Sequence, residues 1–242
     1  GLYFDYDHAE KKRIKKNTIA SFFPIISGIV KESKVKQLLT HIENEDEYNT
    51  KIPFPSVSRS SKHFQKDMWR GPVWLNTAYT IVKGLEYSNL EQLAGKFAYN
   101  LVKGVAFTYS NEGSVYEFYD PDNYTLNSLS RKKGNLFKKM TLGDKPVKKF
   151  VGWTGVVNTM LIENIIGYRR IKDTVMLKPH LPKVFVNHTV RLKIPQFNEI
   201  LSLEIFENQN ISAKLICYDE KDNITSEIIF EGKNHTQLTE KN

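Results

Sequence analysis

Residues 68–76 read Met-Trp-Arg-Gly-Pro-Val-Trp-Leu-Asn, and they stand where a loop is expected to become a helix. Two of the chain's three tryptophans lie in this stretch, flanking Arg70 and a Gly-Pro pair. Gly71 permits backbone conformations that other residues avoid, and Pro72 suits a first helical turn because the N–H it lacks would be unpaired there. An indole face beside a guanidinium fork can grip a polyhydroxylated ring, so the stretch predicts a saccharide site.

The two tryptophans of this stretch have different expected roles. Trp74 lies on one helical stripe with three apolar residues further along, which is the pattern of a core side chain. Trp69 and Arg70 come before the helix, where a role in binding is favoured over a purely structural one.

Apolar periodicity predicts several helices in the first two thirds of the chain. Segments with helical spacing begin at Thr18, Ser33, Pro72, Ser88 and Trp153. Ser88 and Glu91 have the spacing of a capping box, and the helix that follows them keeps its periodicity for four turns. The helices that begin at Thr18 and Ser33 follow each other with a short link, which predicts a helical hairpin.

The last third of the chain has a different pattern. From about Asp173, apolar and polar residues alternate at 190–194, 201–205 and 213–217, with prolines and Asn-rich turns between the runs. This pattern predicts a small antiparallel sheet.

Three stretches, in order, resemble motifs of glycoside hydrolase family 63 and its trehalase-like relatives. Residues 69–76 resemble the Trp-Arg-Gly-Pro-hydrophobic-Trp-hydrophobic-Asn signature, residues 116–121 resemble a Glu-x-Tyr-Asp-Pro segment, and residues 152–154 resemble a Phe-Ser-Trp-Thr-like segment. The opening Gly-Leu-Tyr-Phe-Asp-Tyr-Asp and the Phe-Phe-Pro run at residues 22–24 are similar to that group as well. The resemblance extends from residue 1 to about Pro182.

The resemblance implies a mainly α fold, part of an (α/α)6 toroid of helical hairpins with a small C-terminal antiparallel β domain. Residues 1–172 are expected to form the C-terminal part of the catalytic barrel, and residues 173–242 a β-sandwich-like appendage. Only about half of such a barrel fits before the appendage. The chain is therefore expected to be the carboxy-terminal portion of a larger enzyme, with the missing N-terminal part of the same protein as its partner.

The resemblance also implies an inverting hydrolase, α-glucosidase-like or trehalase-like, that acts on an α-linked glucoside or oligosaccharide. Glu117 matches the family's general base, and its aromatic neighbours are expected to desolvate it, which strengthens a carboxylate as a base. A lone glutamate is otherwise more often a surface charge. The residues predicted to contact the sugar are Trp69, Arg70, Trp74, Asn76, Tyr119 and Trp153. For Trp153, a structural role that fills the barrel interior is equally favoured.

The family's general-acid aspartate lies upstream of the segment that residues 1–5 resemble. Asp5 and Asp7 belong to a structural turn in the resemblance and are not assigned as the acid. The 242-residue chain by itself is therefore predicted to be inactive. The alternative is a non-catalytic carbohydrate-binding protein derived from such an enzyme.

The net charge of +8 is concentrated in one segment. Residues 131–149 contain eight basic residues and the single acid Asp144, which predicts a solvated, mobile insertion. A polyanion-binding module is the third hypothesis, although the pattern of basic and aromatic residues typical of nucleic-acid binding does not occur there.

Composition and spacing limit the other classes of partner. The chain has no apolar run of membrane-spanning length, so no membrane partner is expected. No signal peptide is visible, but this absence carries little weight because the true amino terminus is expected to be missing; a cytoplasmic location is expected. Its six histidines lie far apart and Cys217 is the only cysteine, which predicts no metal site and no cofactor.

Overall fold

A computed structural model describes residues 1–131 and 135–241 of the protein. The chain divides into two compact units, Gly1–Met160 and Leu161–Asn242. Residues 132–134 of the basic segment lie outside the described residues. None of the described helices combines the length and the apolar character needed to cross a bilayer.

The first unit combines helices with a small hairpin and long irregular links. Its elements are a hairpin of β1 (Asp5–Asp7) and β2 (Lys12–Ile14), a 3-10 helix (Ile19–Ser27), α1 (Glu32–Ile42), a 3-10 turn (Met68–Arg70), α2 (Leu75–Tyr87), α3 (Glu91–Glu112), α4 (Leu136–Leu142), a 3-10 turn (Trp153–Gly155) and α5 (Val156–Thr159). A π-helical stretch, Met160–Ile166, follows α5 along the chain. Helices α2 and α3 pack on each other, and α2 also packs on the first 3-10 helix.

The capping box predicted at Ser88 and Glu91 is wrong. Helix α3 begins at Glu91, its N-cap is Leu90, and no side chain caps it. Ser88 instead stands at the C-terminal end of α2, where its backbone N–H donates to the carbonyl oxygens of Gly84 and Leu85.

Extended links join the loops of the first unit around Val73. The backbone of Val73 pairs with Pro55 on one side and with Tyr119 on the other, and Tyr116 pairs with Lys148. Segments from three loops therefore lie side by side just before α2 begins. This arrangement brings the stretch around Trp69 next to the stretch around Glu117.

The second unit contains the antiparallel sheet that alternation predicted. A hairpin of β3 (Tyr168–Ile171) and β4 (Thr174–Leu177) precedes a five-stranded meander of β5 (Thr189–Ile194), β6 (Glu199–Ile205), β7 (Asn210–Tyr218), β8 (Ile224–Lys233) and β9 (Thr239–Glu240). Each strand pairs with its neighbour in sequence. Leu201, Leu203 and Ile205 alternate with less buried residues along β6, so one face of the sheet is apolar.

The prediction of a mainly α fold that forms part of an (α/α)6 toroid is wrong. The residues that the structure describes are 35% helical and 25% strand, and they form five α-helices and a five-stranded sheet. Apolar spacing between Ile19 and Ser27 gives a 3-10 helix rather than an α-helix, with Pro24 inside it. Proline has no N–H to donate and restricts the residue before it, which disfavours continuous α-helix.

Candidate active site

Three tryptophans, Trp69, Trp74 and Trp153, form the aromatic cluster of the first unit. Trp69 and Trp74 are stacked, with ring centroids 3.7 Å apart and planes 5° from parallel. Trp74 is buried, and its indole N–H donates to the carbonyl oxygen of Met68 at 3.1 Å. Trp69 is 46% exposed, although Trp74 stacks on one of its faces.

Trp153 completes the cluster and ties it to Glu117. Its ring centroid lies 5.5 Å from that of Trp74 and 4.5 Å from that of Phe150. Its indole N–H donates to the backbone oxygen of Glu117 at 2.7 Å. The hydroxyl of the next residue, Thr154, donates to the carbonyl of Tyr116 at 2.7 Å, so two hydrogen bonds anchor the glutamate segment.

Arg70 and Gly71 lie in the chain segment that connects the two stacked tryptophans. Arg70 pairs with the buried carboxylate of Asp67, and about half of the arginine side chain remains exposed. The N–H of Gly71 donates to the Ser56 hydroxyl at 2.9 Å. A Cβ at position 71 would lie 2.3 Å from the backbone oxygen of Gln65, so only glycine fits this crossing.

The Glu117 side chain is buried and paired. Its Oε2 lies 3.5 Å from Nη2 of Arg131 and 3.5 Å from the backbone nitrogen of Val147. The Glu117 backbone N–H donates to the carbonyl of Val147 at 3.1 Å. The carboxylate is thus sheltered from solvent, and both donors approach the same oxygen, Oε2.

Asp120 holds the same segment in place through its side chain. Its side chain is fully buried, Lys66 Nζ lies 2.6 Å from one oxygen, and the Ser128 hydroxyl donates to the other. Lys66 also lies 2.9 Å from a carboxylate oxygen of Asp122. Burial disfavours the charged form of Lys66, but hydrogen bonds and charges from Asp120 and Asp122 outweigh it and raise the pKa of the lysine.

Tyr119 and Asn76 are the other two residues predicted to contact the sugar. Tyr119 is fully buried, its hydroxyl accepts the Tyr116 N–H at 3.1 Å, and burial raises its pKa. Asn76 is in the first turn of α2, and its Oδ1 is buried without a hydrogen-bond partner in the part of the chain that the structure describes. The structure thus gathers Trp69, Trp74 and Trp153 in one place, with Tyr119 in the interior.

Comparison with known proteins identifies the family. Residues 1–132 match the mannosylglycerate hydrolase MGH1-like glycoside hydrolase domain. The chain belongs to this family. The predicted relationship to glycoside hydrolase family 63 is therefore confirmed.

Relatives of this glycoside hydrolase domain are longer proteins. An uncharacterized protein of Borreliella burgdorferi is 25% identical over 226 residues, which are 90% of this chain and 42% of that protein. The mannosylglycerate hydrolase of Thermus thermophilus is 28% identical over 122 residues, 50% of this chain and 28% of that enzyme. A probable mannosyl-oligosaccharide glucosidase of Schizosaccharomyces pombe is 25% identical over 159 residues, 60% of this chain and 17% of that protein. The chain spans less than half the length of these relatives.

A solved structure also aligns with part of the chain. A family 63 mannosylglycerate hydrolase from Thermus thermophilus, in complex with glucose, is 22% identical, with a TM-score of 0.49, over 66% of this chain and 33% of that enzyme.

Two residues of the glycoside hydrolase domain's site were missed by sequence analysis, Lys66 and Arg131. Asp120 lies in a matched motif directly before a proline, so a buried partner for it could have been sought. In the sequence pattern, Arg131 is only the first charge of the basic segment. Nothing in its spacing indicates that it faces Glu117, because that contact joins residues 14 positions apart (131 minus 117) across an irregular loop.

Proposed function

We propose that the protein carrying these 242 residues is a glycosidase that cleaves an α-linked sugar with inversion, using Glu117 as general base. Membership of a glycoside hydrolase family supports the class of reaction. The observation that carries the assignment is the buried carboxylate of Glu117, held by Arg131 on a segment that Trp153 anchors.

In an inverting reaction, two carboxyl groups stand about 6.5–9.5 Å apart, which leaves room for a water between the base and the sugar. Glu117 accepts a proton from this water while the water oxygen forms a bond to the anomeric carbon of the sugar. The bond from that carbon to the leaving oxygen breaks, and a general acid protonates the leaving oxygen. We propose that the acid is supplied from outside residues 1–242, in keeping with the larger size of the relatives.

The aromatic cluster is the proposed sugar platform. The free face of Trp69 offers the apolar surface on which a sugar ring stacks, while Trp74 holds it from behind and Trp153 lies alongside. The Oδ1 of Asn76, which is buried without a partner among the described residues, is the proposed acceptor for a sugar hydroxyl group. Tyr119 supports the site from the interior through its backbone pairing with Val73.

Arg70 bears on the class of substrate. About half of its side chain is exposed although it is paired with Asp67, so part of its donor fork is left for an acidic group on the substrate. Relatives are named mannosylglycerate hydrolases, and glycerate is such an acidic group. We therefore propose mannosylglycerate as the first substrate to assay, beside neutral α-glucosides.

The test is hydrolysis by protein expressed from the full reading frame that encodes residues 1–242. Proton NMR of the first sugar released from an α-linked substrate should show the β anomer, as inversion requires. Release of the α anomer would contradict inversion. Hydrolysis by the isolated 242-residue chain would contradict the external acid. Sugar binding by the aromatic cluster without hydrolysis would support the non-catalytic alternative.

A further inference from the structure

The end of the basic segment is built into the Glu117 site. Residues 147–150 run beside residues 114–117: the Glu117 N–H donates to the Val147 carbonyl at 3.1 Å, and the Phe150 N–H donates to the Val115 carbonyl at 3.2 Å. Between these bonds, the Lys149 N–H donates to the Ser114 hydroxyl at 3.1 Å. This part of the segment therefore pairs like a strand and is not a loose insertion.

Lys145 fixes the same segment to the loop before Arg131. Its ammonium donates to three backbone carbonyls, those of Asn127 at 2.7 Å, Leu129 at 2.9 Å and Leu126 at 3.3 Å. The Arg131 N–H donates to the carbonyl of Asp144 at 2.7 Å. Arg131 is thus attached at its backbone to the segment that pairs with Glu117.

The side chain of Arg131 completes the arrangement. It is only 11% exposed, and its Nη2 approaches the same Glu117 oxygen, Oε2, as the Val147 N–H. Within the described part of the chain, no donor contacts Oε1 of Glu117, and Nε of Arg131 has no acceptor. Two donors on one oxygen leave the other oxygen for the reaction.

We propose that Arg131 is a positioning residue: it holds Oε2 of Glu117 so that Oε1 faces the attacking water. The proposal rests on the proposed role of Glu117 as base. Arginine suits this task because its rigid fork fixes the plane of a carboxylate, whereas an ammonium acts as a point charge. The 3.5 Å separation is expected to shorten with substrate bound, since catalytic contacts are commonly long in free enzymes.

The kinetic test uses Arg131→Gln, Arg131→Lys and a matched control in full-length protein. Arg169→Gln is the control, because Arg169 also pairs with a glutamate, Glu163 at 3.8 Å, in the second unit. Misplacing a catalytic group by an ångström costs about 100-fold in rate, so Arg131→Gln should lower kcat about 10- to 100-fold and leave KM nearly unchanged. Arg131→Lys should recover part of the loss, and Arg169→Gln should match wild type.

Several outcomes would overturn the proposal. One is a wild-type kcat in Arg131→Gln; another is an increase in KM alone, which would mean that Arg131 binds substrate. A third is a loss of kcat that only follows a lowered unfolding free energy and that Arg131→Lys does not relieve.

A crystal structure of Arg131→Gln separates this proposal from the proposed function, because it requires no activity. The Glu117 carboxylate should rotate away from Val147 or lose its single orientation. An unchanged carboxylate would overturn the positioning role even in an active enzyme. A wild-type protein that hydrolyses no glycoside would count against the proposed function instead.

Discussion

The indole of Trp69 lies flat on the indole of Trp74, 3.7 Å between centroids, yet the first is nearly half exposed and the second is buried. The two tryptophans therefore have different roles within one motif. Trp74 belongs to the core and orients its neighbour, and Trp69 presents a ring face outward. Truncation of each ring should therefore have a different effect.

Trp74→Ala should lower the free energy of unfolding by about 3–5 kcal/mol, because it empties a buried site of indole size. Trp69→Ala should lower it by only about 1 kcal/mol, the value of one aromatic stack. Urea unfolding of both variants measures the difference. Equal losses would mean that the exposed ring also belongs to the core. Phe107→Ala, at another half-exposed aromatic, is the control for a surface truncation.

Trp69→Ala should also weaken binding of a monosaccharide by about 10-fold or more, since the ring face it removes is the proposed platform. Titration calorimetry with full-length protein measures the affinity. Phe107→Ala should bind as wild type does. An unchanged affinity in Trp69→Ala would remove this indole from the binding site.

Gly71→Ala should destabilise the first unit by about 1–3 kcal/mol, the usual cost of overpacking, because the new methyl group would meet the Gln65 carbonyl oxygen at 2.3 Å. Gly155→Ala is the matched control. Among the described residues, apart from its chain neighbours and its own helix, nothing lies within 4 Å of a Cβ placed at Gly155; the residue has helical backbone angles, so alanine there should be neutral or stabilising. Urea unfolding distinguishes the two, and equal stability would contradict the close approach at Gly71.

Much of the local structure could be predicted from side-chain patterns. The apolar spacing after residue 90 gave α3 within a few residues, and alternation gave the strands of the second unit. Trp74 lies in the core, as its apolar spacing predicted, although its backbone is extended and α2 begins at the next residue, Leu75. These elements bury one face, and a buried face leaves a period in the sequence.

Other parts could not be predicted, because backbone hydrogen bonds leave no side-chain period. The pairing of Val147 with Glu117 and of Val73 with Tyr119 is of this kind. The sequence does not distinguish Lys145 from a solvated surface charge, whereas in the structure its ammonium donates to three backbone carbonyls. The toroid was expected from resemblance alone, and no helical pattern fills the links around residues 43–67 and 113–131.

Lys66→Met should cost about 3 kcal/mol, because it leaves the buried carboxylate of Asp120 without its cation. The pKa of Lys66 is raised above 10.5, so its contribution is complete below pH 10.5 and is lost as the pH rises through the folded-state value. The free energy of unfolding, measured from pH 8 upward, should show this loss in the wild-type protein and not in Lys66→Met. Lys214→Met, which breaks an exposed pair with Glu227, is the control and should cost little.

The stability of the second unit should fall in mild acid. Burial lowers the pKa of His235 below 6.5, and its Nδ1 lies 3.1 Å from Nδ1 of His180, so a second proton is disfavoured there. The contribution is therefore complete above pH 6.5 and is lost as the pH falls through the folded-state value. In His235→Phe, the stability of the second unit should depend less on pH between pH 7 and 5. Thermal unfolding at a series of pH values measures this dependence. A wild-type curve that is already flat in this range would contradict the effect.

The rate at which Glu117→Gln hydrolyses an α-linked substrate decides whether this glutamate is the general base. Full-length Glu117→Gln should lose about 10²- to 10⁴-fold in kcat with its sugar affinity retained, as expected when a general base is removed. Glu199→Gln, at another buried glutamate in the second unit, is the matched control and should keep its rate. A Glu117→Gln enzyme that works at the wild-type rate would contradict the assignment.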